Sequence, residues 1–112
     1  MKNFFVYILA NKSNEVLYIG VTNNLLRRII EHKQKTIKGF SYQYNTDRLI
    51  YYEQFERVEL AIEREKQLKK WNRSWKNELI EKVNNNWKDL FYEIGGTDEL
   101  LEIKLGFPLS RE

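Results

Sequence analysis

Four side chains of this chain are of the types that could together cleave a phosphodiester bond. They are two phenols, a guanidinium and a carboxylate, at Tyr7, Tyr18, Arg28 and Glu65. Metal-assisted hydrolysis needs such a set: a group that acts on the attacking water, a cation beside the phosphate and a carboxylate that holds a divalent metal ion. Each residue also has a structural explanation, so the interpretation depends on where the secondary structure places it.

Glu65 falls among apolar residues when the long helix predicted around it is drawn at about 100° per residue. The apolar face holds Val58, Ala61, Leu68 and Trp75. A carboxylate on such a face is costly unless it is paired or binds a metal ion. From position alone the commoner use is a structural ion pair, for which Arg28 is the obvious partner. Alternatively, the apolar face ends at the sheet edge and leaves Glu65 half exposed.

Tyr7 and Tyr18 lie on two strands predicted to form a hairpin, where their rings could meet as a cross-strand pair. That structural role is the default for tyrosines in strands. The catalytic role requires a hydroxyl that acts on water or phosphate, and a phenol with a pKa of about 10 is a poor base unless a cation lowers that pKa. Gly20 would leave room beside Tyr18 for backbone or a ligand.

Arg28 and His32 lie one turn apart on the helix predicted to start at Thr22 or Asn23. Arg28 could hold a phosphate or stabilise charge in the transition state. His32 could contact phosphate or position water. An isolated arginine more often belongs to an ordinary solvated helix face, and a lone exposed histidine seldom contacts phosphate or positions water.

Gly20 and several basic and aromatic residues are candidates for contact with nucleic acid. Three of them lie in the polar stretch 33–47, which could also be a packed surface loop. The candidates are Gly20, Lys35, Lys38, Tyr44, Lys69 and Arg73. Residues 1–88 carry 17 Lys+Arg against 10 Asp+Glu, whereas residues 89–112 carry 2 against 6, so the basic charge accompanies the tyrosines. Such a distribution suits a polyanionic partner.

The composition excludes several kinds of site. The chain has no cysteine, which excludes disulfides, cysteine-ligated zinc and a thiol nucleophile. Its single histidine argues against a histidine-based metal site. The N-terminal apolar run is too short for a signal peptide and nothing later is expected to span a membrane. A soluble cytoplasmic protein is the natural expectation.

The pattern of apolar residues predicts an α/β (α+β) fold in the order ββαβαα, with a three-stranded, mainly antiparallel sheet flanked by helices. The predicted strands are Lys2–Ala10, Val16–Val21 and Leu49–Phe55. The later helices are Val58–Asn72, Arg73–Val83 and a short one at Trp87–Tyr92, and the three tryptophans, Trp71, Trp75 and Trp87, are expected in the core. One domain over residues 1–94 and an acidic tail over residues 95–112 are expected.

Taken together, these residues resemble a GIY-YIG nuclease domain. Phe5-Val6-Tyr7 stands at the first triplet of the family, and Tyr18-Ile19-Gly20 matches the second. Glu65 stands at the metal-binding glutamate. The helix pattern of the family continues through Thr22, Asn24-Leu25, Arg28 and His32. The resemblance covers residues 3–93 and is greatest to small stand-alone members, which often carry a Tyr-Tyr-Glu like Tyr51-Tyr52-Glu53 before the long helix.

The resemblance implies a metal-dependent endonuclease that hydrolyses DNA, with one Mg²⁺ or Mn²⁺ ion held by Glu65 and no small-molecule cofactor. One of Tyr7 and Tyr18 would be or assist the general base, Arg28 would stabilise the phosphate, and His32 is counted with the catalytic candidates. The DNA could be duplex, branched or single-stranded, with a role at branches, flaps or damage. The protein would be a monomer or weak dimer.

Two departures from the family pattern keep an alternative open. Phe5 replaces the glycine of the first triplet, and Val21 stands where several nucleases carry a basic residue. The loss of one phosphate contact favours a non-catalytic nucleic-acid-binding module that uses the same pocket. A protein-interaction domain that uses the acidic tail is a third possibility.

Overall fold

The computed structural model describes residues 3–36 and 38–102, which form a three-stranded antiparallel sheet with helices on both faces. The elements in chain order are β1 (Phe4–Ala10), β2 (Leu17–Thr22), α1 (Leu25–Lys33), α2 (Phe40–Tyr44), β3 (Arg48–Phe55), α3 (Val58–Lys70), α4 (Arg73–Val83) and α5 (Asp98–Glu102). The predicted fold class is confirmed. The start of the predicted first strand at Lys2 and the tail residues 103–112 lie outside the described part.

Strand β1 is the middle strand, as its apolar residues on both alternating faces predict. Both of its neighbours pair with it antiparallel, in the order β2-β1-β3. Tyr7 of β1 lies opposite Gly20 of β2 and opposite Tyr52 of β3. Strand β2 is therefore an edge strand: one of its edges pairs with β1, and its other edge has no strand partner among the described residues.

The sheet separates two apolar clusters. On one face, here called the α3 side, Val6 and Ile8 pack with Ala61 and Leu68 of α3. The opposite face, the α1 side, contains Tyr7, Leu9, Leu25, Ile29, Ile30, Leu49, Leu90 and Phe91. The catalytic candidates are divided accordingly, because the tyrosines face α1 while Glu65 belongs to α3.

Asparagine side chains begin two of the helices. Asn24 Oδ1 accepts a hydrogen bond from the Arg27 N–H at 3.1 Å, so the N-cap of α1 is Asn24 rather than the predicted Thr22 or Asn23. Asn72 caps α4 by accepting from the Trp75 N–H at 2.9 Å. The predicted bounds of α4 are confirmed, whereas α3 ends two residues before the predicted Asn72.

The segment predicted as a short helix at 87–92 forms turns instead. Trp87 adopts a positive φ of 54°, which a continuing helix does not allow. Asp89 Oδ1 accepts hydrogen bonds from the backbone N–H groups of Leu49 and Phe91, and the Leu90 N–H donates to the Leu49 carbonyl at 2.7 Å. This segment is therefore fixed to the start of β3.

Two further expectations about the helices are wrong. Trp75 is 53% exposed and lies on α4, so it is neither in the core nor on the Glu65 helix, while Trp71 and Trp87 pack partly buried against the α3 side. Part of the predicted polar loop is the helix α2, preceded by Gly39 and ended by Asn45 in the left-handed conformation.

No helix within residues 3–36 and 38–102 combines the length and apolar character needed to cross a membrane.

Candidate active site

Tyr7 and His32 form a buried hydrogen-bonded pair between β1 and α1. Tyr7 is fully buried, His32 is 5% exposed, and the phenol oxygen lies 3.2 Å from His32 Nε2. The expectation of an exposed histidine is wrong. Leu25, Ile29 and His32 follow each other at spacings of four and three, so they share the inward face of α1.

Ser41 and Thr46, which the sequence did not single out, fix the tautomer of His32. Ser41 Oγ lies 2.8 Å from His32 Nδ1, donates its only proton to the Thr46 carbonyl at 2.9 Å, and accepts from the Thr46 hydroxyl at 2.8 Å. His32 Nδ1 must therefore be the protonated nitrogen that donates to Ser41. In the neutral ring Nε2 is then an acceptor, and the Tyr7 hydroxyl donates to it.

Electrostatics agree with this assignment. Burial, followed by the nearby Arg28 cation, lowers the pKa of His32 to about 4. Burial also raises the pKa of Tyr7 above its ordinary value, the Tyr18 phenol adds to the rise, and Arg28 acts in the opposite direction. Near neutral pH the imidazole is uncharged and the Tyr7 phenol keeps its proton.

Titration of His32 is a direct check, because the chain has one histidine and its imidazole NMR signal is unambiguous. We expect a midpoint near pH 4. Since the pKa is about 6.5 in the unfolded chain, the unfolded state binds the extra proton first, and the free energy of unfolding should fall by up to about 3 kcal/mol between roughly pH 6.5 and pH 4. A His32→Gln control should lose less stability over that range. A midpoint near 6.5 would contradict the buried neutral ring.

Tyr18 stands above this pair and is partly exposed. Its ring centroid lies 6.2 Å from that of Tyr7 and 5.5 Å from that of His32. Because Gly20, not Tyr18, lies opposite Tyr7 in the register, the two tyrosines meet diagonally rather than directly across the strands. Of the two phenol side chains, Tyr18 is the one with a surface open to solvent.

Gly20 provides space for Tyr7 rather than for backbone or a ligand. A Cβ at Gly20 would lie 2.5 Å from the Tyr7 phenol oxygen and 2.6 Å from Cζ, far inside van der Waals contact. The register that places a glycine opposite Tyr7 is therefore what allows the buried phenol to reach His32.

Replacement of Gly20 should therefore cost much stability even when it adds only one methyl group. Gly20→Ala is expected to lower the free energy of unfolding by about 1–3 kcal/mol, because the new methyl group displaces the Tyr7 ring. Chemical denaturation measures the loss. In a Tyr7→Leu background, where the ring is absent, the same substitution should cost clearly less; an equal cost in both backgrounds would show that the clash with Tyr7 is not the cause.

Arg28 is held by a buried carboxylate that the sequence reading missed. Glu31 is 1% exposed and lies 3.3 Å from Arg28 Nε and 3.2 Å from Arg27 Nε. The interpretation of Arg28 as the ion-pair partner of Glu65 is wrong, because Glu65 pairs with Lys69 of its own helix while Arg28 pairs with Glu31. The Arg28 guanidinium, 25% exposed, acts electrostatically on both Tyr7 and His32.

Glu65 is partly buried, with 18% of its side chain exposed, and so lies nearer to the ion-paired interpretation than to the half-exposed alternative. Its Oε2 lies 2.6 Å from the Lys69 ammonium one turn later. Helix α3 contacts the edge strand β2 from the α3 side, whereas Tyr18 lies on the α1 side of the same strand. The structure thus brings Tyr7, Tyr18, Arg28 and His32 together, whereas Glu65 belongs to the helix that covers the other face of the sheet.

The described residues could hold a divalent metal ion through a single carboxylate, that of Glu65. Within the described residues no group of three or more histidine or acidic side chains could enclose an ion. Glu65 offers one carboxylate, and the Lys69 ammonium beside it shows that a cation can approach Oε2. Mg²⁺ and similar hard ions keep several waters and need only one or two carboxylates together with substrate phosphates. The residues present fit such an ion.

The predicted nucleic-acid contacts differ in how far they are already engaged. Lys35 donates to Asn45 Oδ1 at 2.6 Å, and Lys69 pairs with Glu65. Arg73 donates to the Glu15 carbonyl at 2.9 Å, which fixes α4 to the β1–β2 turn. Lys38 and Tyr44 are exposed. Contact of any of these residues with DNA stays a prediction.

Comparison with known proteins places this geometry in a family. Residues 3–79 match the family described as the GIY-YIG catalytic domain. A UPF0213 protein of Clostridium perfringens is 40% identical over 76 residues, which cover 68% of this chain and 81% of that protein. A UPF0213 protein of Natronomonas pharaonis is 30% identical over 76 residues, with 68% and 88% covered. The solution NMR structure of a UPF0213 protein from Bacillus halodurans superimposes with a TM-score of 0.51 at 25% identity, covering 85% of this chain and 99% of that one.

Proposed function

The chain belongs to the GIY-YIG family, whose domain implies nuclease-type activity, and we propose that it is a metal-dependent endonuclease that hydrolyses phosphodiester bonds in DNA. The observation that supports this proposal most is the pair of side chains that lies behind the Tyr18 ring. Two buried, uncharged, proton-carrying groups, Tyr7 and His32, are hydrogen-bonded to each other beneath it. A surface that only bound phosphate would gain affinity from exposed cations and not from this pair.

Each member of the cluster has a separate role in the proposal. Tyr18 orients or deprotonates the attacking water, because it is the partly exposed phenol. Tyr7 and His32 support the Tyr18 ring from below and keep its surroundings fixed, which a site needs for a productive geometry. Arg28, held by Glu31, binds the phosphate and stabilises the charge that develops on it.

Glu65 holds the metal ion in this proposal, with Lys69 displaced when the ion binds. The exchange requires little energy, because Lys69 is 54% exposed and surface ion pairs contribute about 1 kcal/mol or less. When bound, Mg²⁺ or Mn²⁺ would supply a Lewis acid for the phosphoryl and leaving oxygens.

The alternative function is binding without cleavage. Val21 favours it, because this residue packs against the α3-side core where several family nucleases carry a basic side chain. A pocket with one phosphate contact fewer could still bind a nucleic acid strand. The repair-related role, the cytoplasmic location and the monomeric or weakly dimeric state stay predictions.

Labelled single-stranded, duplex, flap and branched DNA, each incubated with Mg²⁺, Mn²⁺ or EDTA, distinguishes the two functions. Cleavage in metal and none in EDTA is the result expected of the endonuclease. Binding to the same substrates without cleavage in either metal would support the binding module and reject the enzyme. An RNA strand of matching sequence identifies the preferred sugar.

A further inference from the structure

A chain of ring contacts continues outward from Tyr18 to the exposed side of α2. The rings of Tyr18 and Phe40 are stacked, with centroids 6.1 Å apart and planes 28° apart. The Phe40 ring in turn lies 4.6 Å from that of Tyr44. We call Tyr18, Phe40 and Tyr44 the aromatic ladder. It begins at the candidate active site and ends at the surface.

The outer rings of the ladder are not part of the core. Phe40 is 48% exposed and Tyr44 is 43% exposed, whereas Ser41 of the same helix is buried against His32 and Thr46. Helix α2 is thus anchored by a polar contact on its inner side and presents aromatic rings outward. A single exposed ring needs no explanation, but rings that contact one another and continue from a candidate active site form a platform.

The segment that carries the outer rings of the ladder is weakly basic. Residues 31–47 contain three lysines, Lys33, Lys35 and Lys38, and two acidic residues, of which Glu31 pairs with the arginines of α1. Lys33 is neutralised by Asp89, and Lys35 lies 3.9 Å from Asp47 while 40% of its side chain stays exposed. Lys38 is exposed beside Phe40 in the chain. Exposed aromatic faces beside cations suit a nucleobase and its phosphates.

We propose that the aromatic ladder stacks an unpaired nucleobase next to the phosphate held at Tyr18 and Arg28, so that single-stranded DNA is the preferred substrate class. A base inside a duplex has both faces covered by its neighbours, whereas an unpaired base has a free face for Phe40 or Tyr44. The proposal rests on the proposed function for the position of the phosphate. The stacking itself does not require cleavage.

Fluorescence anisotropy with a fluorescein-labelled DNA strand of about 16 nucleotides, and with its duplex, tests the proposal. The full chain is used in EDTA, so that binding is measured without cutting. Phe40→Ala should weaken binding of the single strand roughly 5- to 100-fold and of the duplex less than about 2-fold. Phe40→Trp should retain single-strand binding. Tyr42→Ala is the matched control, since Tyr42 is 45% exposed on the same helix and should change neither affinity.

The integrity of the pocket is read from the His32 signal. A variant whose His32 midpoint equals that of the wild-type protein has kept the contact between α2 and His32. If Phe40→Ala disturbs that midpoint, Phe40→Leu, which retains the apolar contact and loses the aromatic face, replaces it in the comparison. Unchanged single-strand binding in the intact variant, or an equal loss for strand and duplex, would overturn the proposal.

This result and the proposed function can fail separately. Phe40-dependent binding of the single strand with no cleavage in any metal would leave the stacking site standing and reject the endonuclease. Metal-dependent cleavage by a protein whose DNA binding does not depend on Phe40 would support the endonuclease and reject the stacking site. Each outcome therefore identifies which inference is wrong.

Discussion

Glu65→Ala is expected to lower the single-turnover rate of DNA cleavage by about 10³-fold while leaving DNA binding in EDTA nearly unchanged. Glu65 is the one carboxylate that the proposal assigns to the metal ion. Its present partner, Lys69, is largely exposed, so the loss of the pair should cost about 1 kcal/mol of stability or less. A large change in rate with little change in folding would separate catalysis from structure.

Glu63→Ala provides the matched control for this substitution. Glu63 is an exposed carboxylate on the same helix, two residues away. The Glu63→Ala substitution removes the same charge from α3. It should leave the cleavage rate within about 2-fold of wild type, because surface substitutions usually have small effects. Cleavage by Glu65→Ala at the wild-type rate would remove Glu65 from the mechanism.

Tyr18→Phe and Tyr7→Phe are expected to fail in different ways. Tyr18→Phe should lower the cleavage rate by about 10²- to 10⁴-fold with little loss of stability, because the ring contacts remain and only the partly exposed hydroxyl is lost. Tyr7→Phe should lower the free energy of unfolding by about 1–3 kcal/mol, since it leaves the buried His32 Nε2 without its donor. Its effect on the rate should be smaller.

Parallel single-turnover assays and chemical denaturation of the two variants measure this contrast. The reverse ranking of rates would make Tyr7 the catalytic phenol. Full activity in both variants would exclude the tyrosine hydroxyls from the chemistry and leave the cluster as a structural feature.

Local patterns predicted the scaffold well. The apolar, β-branched and aromatic runs of the three strands and the helical pattern of residues 73–83 are short-range signals, and the sheet and α4 follow them. The partner of Glu65 was also within reach, because Lys69 lies at the i+4 spacing that favours a pair on a helix. The position of Glu65 among apolar residues instead favours a distant partner such as Arg28, because it predicts a carboxylate that faces the core.

The buried half of the candidate site depended on contacts that are distant in sequence. The inward spacing of His32 was readable, but only the fold of α2 shows that Ser41 and Thr46 close the hydrogen-bond chain behind it. In the same way the sequence indicated a special role for Gly20, and the strand register shows that this role is to accommodate Tyr7. Such pairings arise from tertiary structure and leave no periodic signal.

The turn at Trp87 shows a similar limit. Its aromatic and apolar residues favoured a helix, whereas the Asp89 hydrogen bonds to β3 and the positive φ of Trp87 determine an irregular segment. Packing against an existing strand outweighs weak local helix propensity here.

The central claim is that Tyr18, on the α1 side of the sheet, and Glu65, on the helix that covers the other face, act on one phosphodiester bond. The measurement that tests it most directly is the single-turnover cleavage rate of labelled single-stranded DNA in Mg²⁺ by wild type, Tyr18→Phe, Glu65→Ala and the double variant. Groups that act as a unit are strongly non-additive, so the double variant should be no slower than Glu65→Ala alone. A double variant slowed by the product of the two single effects, or a wild-type protein that does not cleave, would contradict the claim.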